Sequence, residues 1–161
     1  MRYPLDEMKI RPLQFTAYKP LTNTFGMVRT NAAQQAKPHQ GWDLSAVAGT
    51  PVYAITDGEA RYGFSGSYGH TVTLKFNHNG TVYYAFYAHL APMSSPSFFD
   101  RSVREGDLVG YTGMSGNAVG IPAAEAHLHF EIRIHEIPGS GLAGRVDPGE
   151  VFGYGVYSCS I

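Results

Sequence analysis

The runs His70-Thr71-Val72-Thr73-Leu74-Lys75-Phe76 and Thr81-Val82-Tyr83-Tyr84-Ala85-Phe86-Tyr87-Ala88 decide the fold class. Both are dense in β-branched and aromatic residues, which suit a pleated surface, and Asn79-Gly80 between them is a strong tight-hairpin signal. Upstream, Pro51-Val52-Tyr53-Ala54-Ile55-Thr56 leads into Asp57-Gly58 and then Glu59-Ala60-Arg61-Tyr62-Gly63-Phe64, which reads as a second hairpin. Together the hairpins predict four strands of one antiparallel sheet. Residues 107–111 predict a short further strand and residues 128–134 a clear one. No apolar stripe at helical spacing exceeds two turns, and no internal repeat is present. The expected fold is all-β, a mainly antiparallel sheet with long loops at 65–69, 91–102 and 113–126. Pro4, Pro12, Pro20 and Pro38 interrupt any long helix at the start. Residues 1–37 therefore read as an irregular arm packed on the domain, with a short strand near Phe15 to Tyr18. Residues 38–161 read as the single globular domain.

Composition agrees. Among 161 residues there are 19 glycines, 10 prolines, 11 tyrosines and 9 phenylalanines, a turn-rich and strand-rich balance. The formal net charge is -1 and no Lys/Arg run occurs, so the electrostatic footprint of a nucleic-acid binder is missing. The single cysteine, Cys159, has no partner for an internal disulfide or a thiolate metal site. No apolar stretch has membrane-spanning length, and Met1 to Glu7 lacks the basic-then-apolar pattern of a signal peptide. Delivery by a non-classical route, by a phage, or as a piece cut from a longer precursor is the expectation.

The histidines carry the chemistry. Taken singly, each reads as a surface or hydrogen-bonded residue, and His70, His78 and His135 are left so. His127 and His129 differ. Two apart in a strand, they share one face while Leu128 and Phe130 share the other, so both imidazoles can aim into one cleft. His39 and Asp43, four apart, add an imidazole and a carboxylate. Imidazole nitrogen and carboxylate oxygen are ordinary zinc ligands, and three of them plus a water make a catalytic site. His39, Asp43 and one histidine of the pair could supply the three.

His39-Gln40-Gly41-Trp42-Asp43-Leu44, Gly49-Thr50-Pro51-Val52-Tyr53-Ala54, Asp57-Gly58, Tyr87-Ala88-His89-Leu90, the run from Val103 to Gly113, and His127-Leu128-His129-Phe130-Glu131 occur in this order. Thr24-Phe25-Gly26-Met27-Val28-Arg29 precedes them and Asp147-Pro148 follows. The whole arrangement, from about residue 24 to 148, resembles the lysostaphin/LytM-type zinc peptidases. The resemblance implies one zinc ion held by His39, Asp43 and His129, with His89 and His127 as catalytic histidines. A zinc-bound water ionises near pH 7 instead of at about 15.7, and the two histidines would take its proton and stabilise the oxyanion.

The implied activity is hydrolysis of peptidoglycan peptide cross-links in the periplasm or cell wall, with D-Ala–diaminopimelate bonds preferred and glycine bridges second. The rival is a non-catalytic peptidoglycan-binding or amidase-regulating module, which loss of a ligand would favour; none is lost. The compact chain also suits an antibacterial toxin or lysin, and a toxin requires an inhibitor or immunity protein that occludes the cleft. Two loops depart from the family pattern. Residues 113–126 are longer and more apolar than a tight Gly/Ser/Thr/Pro turn, and residues 91–102 carry Phe98 and Phe99. They are expected to wall the cleft from opposite sides, with Phe98, Phe99, Val119 and Ile121 either partly exposed there or folded back over the sheet.

Overall fold

The computed structural model describes residues 1–10, 20–93 and 100–159. Its strands are, in chain order, β1 (Lys9–Ile10), β2 (Gly26–Thr30), β3 (Ala36–His39), β4 (Trp42–Ser45), β5 (Pro51–Tyr53), β6 (Gly58–Ser65) and β7 (Gly69–His78). They continue with β8 (Thr81–Leu90), β9 (Arg101–Val103), β10 (Leu108–Tyr111), β11 (His127–Arg133), β12 (Arg145–Val146) and β13 (Ser158–Cys159). Nine of them form one sheet in the order β13-β1-β4-β11-β8-β7-β6-β9, with β12 paired to the far end of β11. The β10–β5 and β2–β3 pairs are separate two-stranded sheets. The one α-helix among the described residues is a single turn, α1 (Gly149–Phe152). The chain is therefore mainly antiparallel β, as expected.

Alternation explains how the main sheet is held. Leu44 of β4, Leu128, Phe130 and Ile132 of β11, Ala85 and Tyr87 of β8, and Val72 and Leu74 of β7 are fully buried on one face. Burying each Leu, Ile, Val or Phe contributes about 1.5–3 kcal/mol. Trp42, against Tyr157 at 5.0 Å between ring centres, and Phe152, 5.9 Å from Phe130, close the core from the chain ends. Leu5 and Ile10 are buried in the same cluster. The other face of β4 and β11 is polar yet also buried, and all seven residues of β11 are buried.

The Asn79-Gly80 hairpin forms as read. Both residues have positive φ, 51° and 81°, and His78 pairs with Thr81. The Asp57-Gly58 hairpin does not form. β5 pairs with β10, while β6 pairs with β7 and β9, so residues 54–57 cross between two sheets. Val52, Ala54 and Ile55 are completely buried, and the Asp57 carboxylate accepts the Glu105 N–H at 2.8 Å instead of closing a turn. Gly58 is there for space: a Cβ would stand 2.2 Å from the Lys75 carbonyl oxygen. Core burial overrode a locally correct turn signal.

Strand content also begins earlier than expected. β1 and β2 lie inside the stretch expected to be irregular, β3 crosses its end at residue 37, and β4 precedes the strand run expected from Pro51. These segments are two to five residues long, too short for alternation to register. The strand expected near Phe15 to Tyr18 falls outside the described residues.

The turn from β3 to β4 passes against β11 with no room to spare. A Cβ on Gly41 would sit 2.1 Å from the Phe130 carbonyl oxygen, a backbone atom that cannot step aside. Gly66 has nothing within 4 Å of the same position. Gly41→Ala is expected to lower the stability measured by urea unfolding by about 1–3 kcal/mol, as overpacking does, and Gly66→Ala to change it by less than about 1 kcal/mol. Equal midpoints for the two variants would contradict this packing.

Candidate metal centre

On β11 the residues opposite the core are His127, His129, Glu131 and Arg133. The register sets His129 directly across from Asp43 of β4 on one side and Ala88 of β8 on the other. His39 arrives at the end of β3, one tight turn before Asp43. His89 arrives near the end of β8. His39, Asp43 and His129 thus bring one donor atom each to within 4.8 Å of one another, and all three are buried. Asp43 Oδ1 lies 2.8 Å from His129 Nδ1 and 3.2 Å from His39 Nε2. His127 Nε2 is 3.8 Å from the same oxygen, and the His89 ring centre is 5.2 Å from that of His127. All five residues singled out in the sequence therefore meet in one place. His70, His78 and His135 are not among the residues lining it.

Outer partners set which nitrogen each ring presents. Nδ1 of His39 donates to the Thr24 carbonyl at 2.8 Å, that of His89 to Ser115 at 2.9 Å, and that of His127 to Glu125 at 2.9 Å. A carbonyl oxygen can only accept, so each Nδ1 carries a proton, and it is Nε2 of each ring that faces inward and is bare whenever the ring is neutral. His129 is turned the other way. Its Nε2 donates to Glu131 Oε1 at 3.0 Å, leaving Nδ1 towards Asp43. Glu131 Oε2 accepts in turn from Arg133 Nε at 2.6 Å and Arg145 Nε at 2.8 Å. Asp43 Oδ2 is held by Arg29 Nη2 at 2.7 Å.

Burial opposes every charge here, and the partners outweigh it. For Asp43 the cost of burial is overcome by attraction to His39 and His127 in their protonated forms and by the His129 hydrogen bond, so its carboxyl lies well below the ordinary range. Burial is likewise overcome at Glu131, where His129 and Arg133 hold the carboxyl down to about 2. His129, between two carboxylates, is raised to about 9 despite its burial. Burial, then the neighbouring His127 and His129, lowers His89 to about 4. The space between Asp43 and Glu131 favours positive charge. Two imidazoles and one carboxylate, with the second imidazole oriented by a further carboxylate, suit zinc and leave a fourth position for water.

The backbone at His89 is unusual for a residue with a bulky ring. Its φ of 58° places it in the left-handed region, where strained residues at functional sites concentrate. Its N–H donates to the Tyr68 carbonyl at 2.8 Å and its carbonyl accepts from Gly113 at 3.0 Å, which pins this conformation.

The five residues open into a cavity of about 460 Å³. One wall is Asn117, Ala118 and Ile121 from the 113–126 loop, as expected. The lining also takes in Lys37 to His39 of β3, Gln40 just after it, and Gly141. The expected second wall from the 91–102 loop is not found among the described residues, and Phe98 and Phe99 lie outside them. Val119 is 73% exposed and is not part of the lining. Tyr68, stacked on His129 at 5.9 Å, also lines the cavity. Sequence reading missed Tyr68, Glu131 and Arg145. Only Glu131 carried a signal, since it lies two residues from His129 on the same strand face.

Comparison with known proteins places this arrangement. Residues 37–140 match peptidase family M23. The chain is 33% identical over 130 residues to the DD-carboxypeptidase/endopeptidase Mpg of Neisseria meningitidis, covering 80% of this chain and 27% of that protein. It thus spans about a quarter of the length of the curated relatives it matches. Among solved structures, LytU is similar with a TM-score of 0.60 and 28% identity, over 86% of this chain and 88% of that one. The catalytic domain of lysostaphin from Staphylococcus simulans shares the fold, with a TM-score of 0.61 and 24% identity over 80% and 87% of the two chains. A family match over most of the β domain, a relative one-third identical across it and a common fold with LytU agree: the chain belongs to peptidase family M23, the lysostaphin/LytM-type metallopeptidases.

Proposed function

We propose that this domain is a zinc-dependent endopeptidase that hydrolyses the peptide cross-links of peptidoglycan. One observation carries the reading: three ligand-type atoms meet within 4.8 Å, with two further imidazoles beside them. His39 Nε2, Asp43 Oδ1 and His129 Nδ1 would hold the ion, one per chain. A zinc ion supplies Lewis acidity, acidifying a water molecule and polarising a carbonyl oxygen. The residues do the rest. His89 and His127 each turn Nε2 inward, so either, when neutral, can accept a proton from the attacking water and, once protonated, donate to the departing amine or the developing oxyanion. Their Nδ1 bonds to Ser115 and Glu125 hold the rings in that tautomer. Glu131, anchored by two guanidinium groups, fixes the rotation of His129. Arg29 does the same for Asp43.

D-Ala–diaminopimelate bonds are the preferred substrate and glycine bridges the second. Mpg is named as a DD-carboxypeptidase/endopeptidase, and the D-Ala–diaminopimelate cross-link joins two D-configured centres. The domain would act in the periplasm or cell wall; no helix among the described residues is long and apolar enough to cross a membrane. The non-catalytic alternative is disfavoured by a donor set with no member missing. A toxin role, with an inhibitor protein seated in the cavity, stays a further proposal resting on the compact domain and its open cleft.

Elemental analysis tests the ligands. His39→Ala, Asp43→Ala and His129→Ala are each expected to lose zinc while keeping the β-sheet circular dichroism, and full occupancy in His129→Ala would remove that residue from the set. Wall digestion tests the reaction. The wild-type protein is expected to release fragments opened at D-Ala–diaminopimelate bonds, read by mass spectrometry. His89→Ala and His127→Ala are expected to bind zinc but to be about 10²–10⁴-fold slower, the usual worth of acid–base assistance. Wild-type turnover in either variant would exclude that histidine from catalysis, and release of glycine-bridge products alone would reverse the substrate ranking.

A further inference from the structure

The β2–β3 ribbon sets two cations against each other beside the metal centre. Arg29 and Lys37 are directly paired across it, so their side chains leave on the same face. Like charges in that position repel and destabilise a strand pair. Arg29 has its compensation: it donates to the Thr22 carbonyl at 2.6 Å, to Asn23 Oδ1 at 3.2 Å and to Asp43 Oδ2 at 2.7 Å. Lys37 has none. Its ammonium has no ion-pair or hydrogen-bond partner among the described residues, although it lines the cavity that holds all five site residues. It lies two residues before His39 on the same strand, so it shares a face with that ring, at about 6.6–6.8 Å between Cα atoms.

The charge of the cavity points the same way. Among its described lining residues Asp43 is the sole acid, against Arg29 and Lys37. Asp43 and Arg29 neutralise each other, which leaves Lys37 as an uncompensated positive charge at the mouth, reinforced when the centre holds a divalent cation. Such a site selects an anion carried by the substrate.

We propose that Lys37 is a specificity-determining residue that binds the substrate carboxylate carried on the carbon next to the scissile nitrogen. The inference rests on the cross-link reading above and sharpens it. In a D-Ala–diaminopimelate cross-link the D-centre bearing the scissile nitrogen also bears a free carboxylate. The terminal residue of a D-Ala–D-Ala stem has the same grouping. A bond inside a glycine bridge does not, because the corresponding carbon continues into another amide. One ammonium, placed beside His39, therefore separates the two substrate classes by charge alone.

The test uses zinc-loaded protein and two purified dimers, one cross-linked through D-Ala–diaminopimelate with its D-centre carboxylate free and one with that carboxylate amidated. Wild-type kcat/KM is expected to favour the free acid by about ten-fold, the lower end of what a hydrogen bond to a charged group contributes. Lys37→Met is expected to lose that preference through a raised KM on the free acid, with the amidated dimer turned over as before. Lys37→Arg keeps the preference. Equal losses on both dimers in Lys37→Met, or an unchanged preference, would overturn the proposal. A binding measurement separates it from the activity itself: the tripeptide L-Ala-γ-D-Glu-meso-diaminopimelate, free or amidated at the D-centre, is titrated while backbone amide resonances are followed. Shifts around Lys37 with the free acid, absent in Lys37→Met, uphold carboxylate binding even if neither dimer is cleaved. No shift with the free acid refutes it.

Discussion

Strand β11 is hydrogen-bonded on both sides, to β4 and to β8, and the function rests on the register of those two ladders. His129 faces Asp43 across one and Ala88 across the other, while Leu128 and Phe130 anchor the opposite face in the core. A slip of one residue would send both histidines of the pair into the core and Leu128 and Phe130 into the cleft. The core therefore enforces the geometry of the site: the apolar residues that make the slip too costly alternate with the polar residues that would hold the metal. Gly41 completes this arrangement by letting the β3–β4 turn approach β11 closely enough for His39 and Asp43 to reach the same point.

A fully buried polar face is expensive unless each charge is matched. Here Glu131 is shared by His129, Arg133 and Arg145, and Asp43 by Arg29, His39 and His129. The pairing has a directional consequence. Each carboxylate uses its second oxygen to grip a guanidinium, so the first is fixed in orientation, and the imidazoles bonded to it are fixed in turn. A site built this way is stiff before any ligand arrives. Preorganisation of that kind lets acid–base groups act without moving. The strained backbone of His89 belongs to the same design, since the Tyr68 and Gly113 bonds hold a ring that an ordinary strand residue would point elsewhere.

Much of this was legible in the sequence, and the boundary is physical. The long strands β7, β8 and β11, seven to ten residues each, announced themselves by β-branched and aromatic composition and, in β11, by the alternation of polar and apolar residues. His127 and His129 were readable as co-facial from the same period of two, and ordered motifs singled out His39, Asp43 and His89 as well. What escaped depended on contacts distant in the chain. The segments β1 to β4 are too short to show a period, and they exist because β11 and the core give them something to pair with and bury against. Asp57-Gly58 looked like a hairpin because that signal is local, whereas the pairing of β5 with β10 is not. Thr24, Ser115 and Glu125 serve the site through backbone carbonyls, which no side-chain identity can reveal. Arg145 reaches Glu131 from a strand 14 residues further on.

The central claim is that one divalent ion sits between His39, Asp43 and His129 while His89 and His127 stand beside it unligated. Anomalous diffraction at the zinc edge, from crystals of the zinc-loaded protein, addresses it directly. The account predicts a single strong peak per chain within bonding distance of His39 Nε2, Asp43 Oδ1 and His129 Nδ1, with both other imidazoles outside that distance. A peak bonded to His89 or His127, or no peak at this centre in protein that carries zinc, would contradict it.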